Sequence, residues 1–144
     1  MIRIRVETEI RPTEDPKKVE QAVRNVFDPE VLWVEERGEV KVLIGESKSH
    51  RSLLKLHNLL RQERILDASR KILKKGVKGN VMVFHIHKQA AYAGRLTFAT
   101  ESRESPLGPI TFIIETDDPK ELIDWLAPKT ERGKPLWEKE MPKD

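Results

Sequence analysis

The 144-residue chain contains no cysteine. That absence removes disulfides, thiolate nucleophiles and cysteine-ligated zinc at one stroke. Aromatic residues are scarce, at 6%, and the basic middle of the chain holds only Phe84 and Tyr92, which argues against a sheet that stacks bases over many rings. Long apolar runs are missing as well. The longest, Val31 to Val34 and Ile110 to Ile114, fall far below the ~20 residues of a spanning helix. The opening Met-Ile-Arg-Ile-Arg-Val alternates where a secretory leader would be continuously apolar. A cytoplasmic location without membrane contact is therefore expected.

Catalytic signatures are absent too. Gly94 stands alone among small residues and cannot form a phosphate-cradling loop, and no Walker-type, dinucleotide or nucleophile-elbow pattern is present. The adjacent Asp117 and Asp118 are read as helix capping. No enzyme activity and no cofactor are expected.

What is present is a hydrophobic fraction of 38% with 35% charged residues. The first suffices for one core, and the length fits one domain. The second, with many prolines and no cysteine, leans towards a hot environment, where ion-pair networks gain value. Ile2, Ile4, Val6, Thr8 and Ile10 alternate with charged residues, a half-buried strand. Asp15 caps and Pro16 opens a helix with the stripe Val19, Ala22, Val23, Val26 and Phe27, closed by Asp28-Pro29. Val31 to Glu36 and Glu39 to Ile44 form a hairpin about Gly38.

From Ser49 to Lys75 the period is helical. Leu53, Leu56, Leu59 and Leu60 give one apolar stripe, and Ile65, Ala68, Ile72 and Leu73 a second. The phase slips between them, so the reading is two helices, or one bent helix, breaking near Gln62 to Arg64. Gly76 caps the second. Val81 to His87 is a strand, Lys88 to Arg95 a short helix or structured loop, Leu96 to Ala99 a strand, and Glu101 to Pro109 a polar turn. Ile110 to Thr116 is a central strand. Asp118-Pro119 opens a last helix bearing Leu122, Ile123, Trp125 and Leu126, with the same capping chemistry as the first. The domain spans residues 1–128. Residues 129–144 read as a charged, loosely held tail that Trp137 could pin. The fold class expected is α+β: a two-layer sandwich of a mostly antiparallel, partly mixed sheet with helices on one face.

Charge is distributed unevenly. Residues 47–95 hold 12 Lys and Arg against only Glu63 and Asp67, whereas residues 1–46 and 96–144 are each mildly acidic. Cations off the leucine stripes should face solvent, and a basic solvent face attracts polyanions. The candidate phosphate contacts are Arg51, Lys55, Arg61, Arg64, Arg70, Lys71, Lys74 and Lys75. Lys88 and Gln89 are candidates for closer contact, because Ala90, Ala91 and Gly94 let another backbone approach. The alternative is a self-assembly or protein-interaction module, in which the acidic flanks of one chain meet the basic middle of another. His85 and His87 share one face of a strand. A metal there would need His50 or His57 as a third ligand, and the pair is read instead as polar residues on an open sheet face, with no metal.

The set His87-Lys88-Gln89-Ala90-Ala91 with Gly94, Ser105-Pro106-Leu107-Gly108-Pro109-Ile110 and the leading alternation resembles a small archaeal family of uncharacterised proteins. The resemblance runs to about Pro128. It implies a fold like that of the ribosomal large-subunit protein that contacts the small ribosomal RNA, and the family's label of predicted RNA-binding, exosome-associated protein. The usual family loop has Asn where this chain has His87, which weakens a ligand role for that histidine. Together these readings predict a non-catalytic RNA-binding protein, with an RNA-processing complex or a homo-oligomer as possible context.

Overall fold

The structure is a computed structural model that describes residues 1–99 and 107–144. The first strand, β1 (Ile2–Ile10), buries every even-numbered side chain, as its alternation requires. Next comes α1 (Pro16–Val26), where the Asp15 carboxylate accepts from the Lys17 backbone N–H at 2.9 Å and Pro16 opens the first turn. The hairpin follows as β2 (Val31–Arg37) and β3 (Val40–Ser47), turning through Gly38 at a φ of +64°.

A 3₁₀ turn at His50–Leu53 leads into α2 (Leu54–Gln62), and α3 (Leu66–Lys75) comes after a break. The break falls where the apolar phase slips. Arg64 there takes a φ of +57°, a left-handed conformation that stops the helix. Then come β4 (Val77–Lys78), β5 (Val81–His87), α4 (Lys88–Tyr92), β6 (Phe98–Ala99), β7 (Pro109–Thr116) and α5 (Pro119–Leu126). A small hairpin, β8 (Thr130–Glu131) with β9 (Lys134–Pro135), begins the C-terminal segment. Most of the polar turn expected at Glu101 to Pro109 lies outside the described residues.

Seven strands form one sheet in the order β2-β3-β1-β7-β5-β4, with β6 also on β5. Every ladder between described strands is antiparallel; the mixed component of the expectation is not found among them. β1 and β7 sit centrally, and Ile4 pairs with Ile114 and Val6 with Phe112. The helices cover one face, burying Ile4, Val6, Phe84, Phe112, Val23, Leu56, Leu60 and Leu126 in a continuous core. The fold is thus an α+β two-layer sandwich.

Gly76 closes α3 with an ordinary φ of −80°, so left-handed freedom is not its purpose. A Cβ there would overlap the Val83 carbonyl oxygen of β5. That backbone cannot yield, since Val83 N–H donates to the Gly76 carbonyl at 3.0 Å. Gly76→Ala is expected to cost about 2 kcal/mol or more, the upper range for overpacking, read as a lowered urea midpoint.

Candidate nucleic-acid interface

The cations of the basic middle separate into those the fold consumes and those it leaves outside. The buried stripe of α3 is Leu66, Ser69, Arg70 and Leu73; it shares Leu73 with the expected Ile65, Ala68, Ile72 and Leu73, but otherwise lies on the neighbouring side of the helix. Arg70 therefore points inward and is 6% exposed. Its Nη1 lies 2.9 Å from Asp124 Oδ1 and donates to the Ala127 carbonyl at 3.1 Å, with the guanidinium 5.7 Å from the Trp137 ring. The pairing is close but not aligned: Arg70 Nε and Asp124 Oδ1 both lack a hydrogen-bond partner. The expectation that every cation off the leucine stripe faces solvent fails at this residue.

Arg61 is drawn into the fold as well. It grips Glu138 through two nitrogens, at 2.6 and 3.0 Å, and donates to the carbonyls of His57, Trp125 and Leu126. Lys88 is 3% exposed. Its ammonium donates to the Glu9 and Leu107 carbonyls at 2.7 Å and to the Glu14 carboxylate at 3.0 Å. Burial pulls its pKa below the ordinary lysine value, with Glu14 opposing. Lys55 reaches Asp28 at 2.9 Å and the Arg24 carbonyl at 2.7 Å from an exposed position.

Arg51, Arg64, Lys71, Lys74, Lys75 and Gln89 are exposed. They do not converge on one point. Lys71, Lys74 and Lys75 follow one another at helical spacing along the outer side of α3, with Lys78 just beyond on β4. Asp67 is the acid on that side, 3.6 Å from Lys71 in an exposed pair. Gln89 sits on α4, at the far end of the seven-residue strand β5, roughly 23 Å away at the usual rise per residue. Sequence reasoning missed Lys120 of α5, which lines a cleft of about 220 Å³ together with Lys74. Its place among acidic neighbours hid it.

The open face of the sheet behaves differently. Arg5 and Arg37 lie there within 2.7–3.2 Å of Glu7, Glu46 and Glu35, so those arginines are already matched. His85 projects to this face between the buried Phe84 and Ile86 and meets Thr111 Oγ1 at 2.8 Å; burial lowers its pKa. His50 and His57 lie on the helical side against Trp125, at ring-centroid distances of 6.3 and 4.8 Å. The sheet thus separates the two histidine pairs. Among the described residues no three His, Asp or Glu side chains form a metal-holding group.

The C-terminal segment packs on the helical layer, and its Glu138 is the partner of Arg61. Trp137 Nε1 donates to the Asp124 carbonyl at 3.0 Å, Lys139 reaches Asp124 at 3.5 Å, and Asp144 accepts from the His50 backbone N–H and meets His50 Nδ1, each at 2.7 Å. The Arg61 fork holds the Glu138 carboxyl below its ordinary pKa, and the His50 N–H does the same for Asp144. A depressed carboxylate pKa gives stability that is present above the unfolded value, roughly 4, and is lost as pH falls through the folded value. As pH falls below about 4 and on through those depressed values, the segment is expected to detach. Trp137 emission should shift to the red before far-ultraviolet circular dichroism changes, and the shift should vanish in Trp137→Phe.

A family described as RNA binding matches residues 3–116, which spans β1 through β7. The chain belongs to this family. The chain is also similar to a UPF0201 protein of Aeropyrum pernix, 54% identical over 98% of this chain and 95% of that protein. Another, from Sulfurisphaera tokodaii, is 53% identical over 100% of this chain and 99% of its own length. Among solved structures, the UPF0201 protein from Methanococcus jannaschii superposes with a TM-score of 0.80 at 33% identity, covering 93% of this chain and 98% of that one. These relatives are archaeal proteins, and the matched family is described as RNA binding. No helix among the described residues is long and apolar enough to cross a membrane.

Proposed function

We propose that this protein is a non-catalytic RNA-binding protein that holds the phosphate backbone on the outer side of α3. Lys71, Lys74 and Lys75 with Lys78 and Lys120 form the contact set, and Arg64 and Arg51 extend it. The observation that carries the reading is the exposure of Lys71, Lys74 and Lys75 on one helical side, in a family described as RNA binding. Ammonium groups suit this role because they act as point charges on a backbone and need no fixed geometry. The working setting is the cytoplasm, beside RNA-processing machinery.

The self-assembly alternative draws on fewer charges than the segmental count suggests. The acidic flanks meet the basic middle within one chain, through Glu138 with Arg61, Asp124 with Arg70, Glu14 with Lys88 and Asp28 with Lys55. Those four pairs remove part of the opposite charge that a second copy would need.

The test is binding to a mixed pool of labelled RNAs across a salt series. With about four phosphates neutralised, log affinity should fall with log salt at a slope of about −3. A slope near zero would contradict phosphate tracking.

A further inference from the structure

We propose that the cavity between α1 and α4 is a docking site for one unpaired nucleobase of RNA, with Tyr92 as its stacking surface. This rests on the RNA-binding reading and specifies part of its substrate: single-stranded, base-bearing RNA. The cavity has a volume of about 350 Å³, at the small end of the range for ligand pockets. Val19, Ala22 and Leu107 supply apolar lining. Tyr92 forms one wall and is 47% exposed, whereas Phe27, Phe84, Phe112 and Trp125 are all in the core.

The platform is held firmly. Asn25 of α1 donates to the carbonyls of Ala91 and Tyr92 at 3.0 and 3.2 Å, and buried Lys88 ties the start of α4 to β1 and to Glu14. Lys88 therefore builds the site and does not reach into it. Lys18 also lines the cavity, its Nζ over the Tyr92 ring at 6.0 Å from the centroid; a base stacking on Tyr92 takes the place of this ammonium, whose flexible stem lets it turn to the attached phosphate.

The lining chemistry selects a base over a phosphate as the occupant. Glu14 and Asp15 both border the cavity. Their carboxylates are engaged, by Lys88 and by the Lys17 backbone N–H respectively, yet their charge still opposes an anion inside. A neutral, planar, largely apolar group faces no such opposition and gains from the ring. Stacking also tolerates any base, because every base has a π-face.

The test uses the full chain with two labelled oligomers of equal length, one single-stranded RNA and one abasic sugar-phosphate chain. The native protein is expected to prefer the base-bearing oligomer by about tenfold, within the range of base–aromatic stacking. Tyr92→Ala should abolish that preference and leave abasic binding unchanged, while Tyr92→Trp should retain it. Lys74→Glu with Lys75→Glu should weaken both oligomers together and keep the ratio. Equal binding of the two oligomers by native protein, or an unaltered preference in Tyr92→Ala, overturns the base site while leaving phosphate tracking in place. Failure to bind either oligomer at low salt overturns both.

Discussion

Reversing Lys74 and Lys75 together to glutamate is expected to weaken RNA binding by roughly two orders of magnitude at low salt, with the fold intact. Both side chains are exposed, at the last turn of α3. Lysine at a helix C-terminus complements the helix dipole, so reversal costs the helix something, but only about 0.3–1 kcal/mol per charge at the surface. The effect on a polyanion is larger. Two attractive contacts are lost and two repulsive ones appear, on a surface whose affinity comes from counterion release. The slope of log affinity against log salt should flatten by about two, one for each contact removed. Circular dichroism and the urea midpoint check that the fold survives. A variant binding as tightly as the native chain would move the interface elsewhere.

Arg70→Ala should show the converse pattern, a stability loss of about 3–5 kcal/mol whose cause lies inside the molecule. Arg70 and Asp124 are each only 8% exposed at the side chain. Burial alone would raise the Asp124 pKa; Arg70, with Lys139, overrides that and holds it below its ordinary value. Removing Arg70 leaves a buried carboxylate with the 3.5 Å contact to Lys139, strands the Ala127 carbonyl and withdraws one of the two cations, Arg70 and Lys139, that lie over Trp137. The pairing is imperfectly aligned, which makes the double variant Arg70→Met with Asp124→Leu informative. Replacing both charges with apolar groups should recover most of the loss, because a buried pair costs much desolvation. Thermal or urea unfolding measures both. An Arg70→Ala chain as stable as the native one would contradict the structural role given to the pair. For the same reason Arg70→Glu reports on folding and is unsuitable as a binding control.

The two halves of the molecule differed in how readily the sequence disclosed them. β1 and the two Asp-Pro helix starts were legible because a period of two and a capping carboxylate are local signals. Asp15 and Asp118 both accept from backbone N–H groups as expected. The break between α2 and α3 was legible from the slip in apolar phase. The side of α3 was not. Leu66, Ser69, Arg70 and Leu73 are its buried set, and an arginine with a serine does not advertise an inward stripe. The spacing was nevertheless there: Arg70 lies four residues after Leu66 and three before Leu73.

The charges at the candidate site were hard to assign for a related reason. Whether a lysine is free depends on partners distant in sequence. Lys88 is silenced by Glu14, 74 residues away, and Arg61 by Glu138, 77 residues away. A segmental charge count sees the excess but not this pairing. It therefore grouped Lys88 and Arg70 with Lys74, although the first two hold the fold together. The tail shows the same limit. Residues 129–144 read as loose because they are charged and proline-containing, yet Trp137, Glu138 and Asp144 each have a partner on the helical layer. Trp137 was the one residue that signalled this.

The measurement that bears most directly on RNA binding through α3 is affinity for a mixed pool of labelled RNAs at about 50 and about 200 mM salt, using the native chain and Lys74→Glu with Lys75→Glu. The account predicts roughly fifty- to hundredfold weaker native binding at the higher salt, and a much smaller salt effect in the variant. Native binding that is undetectable at the lower salt, or identical salt dependence in the two chains, would contradict it.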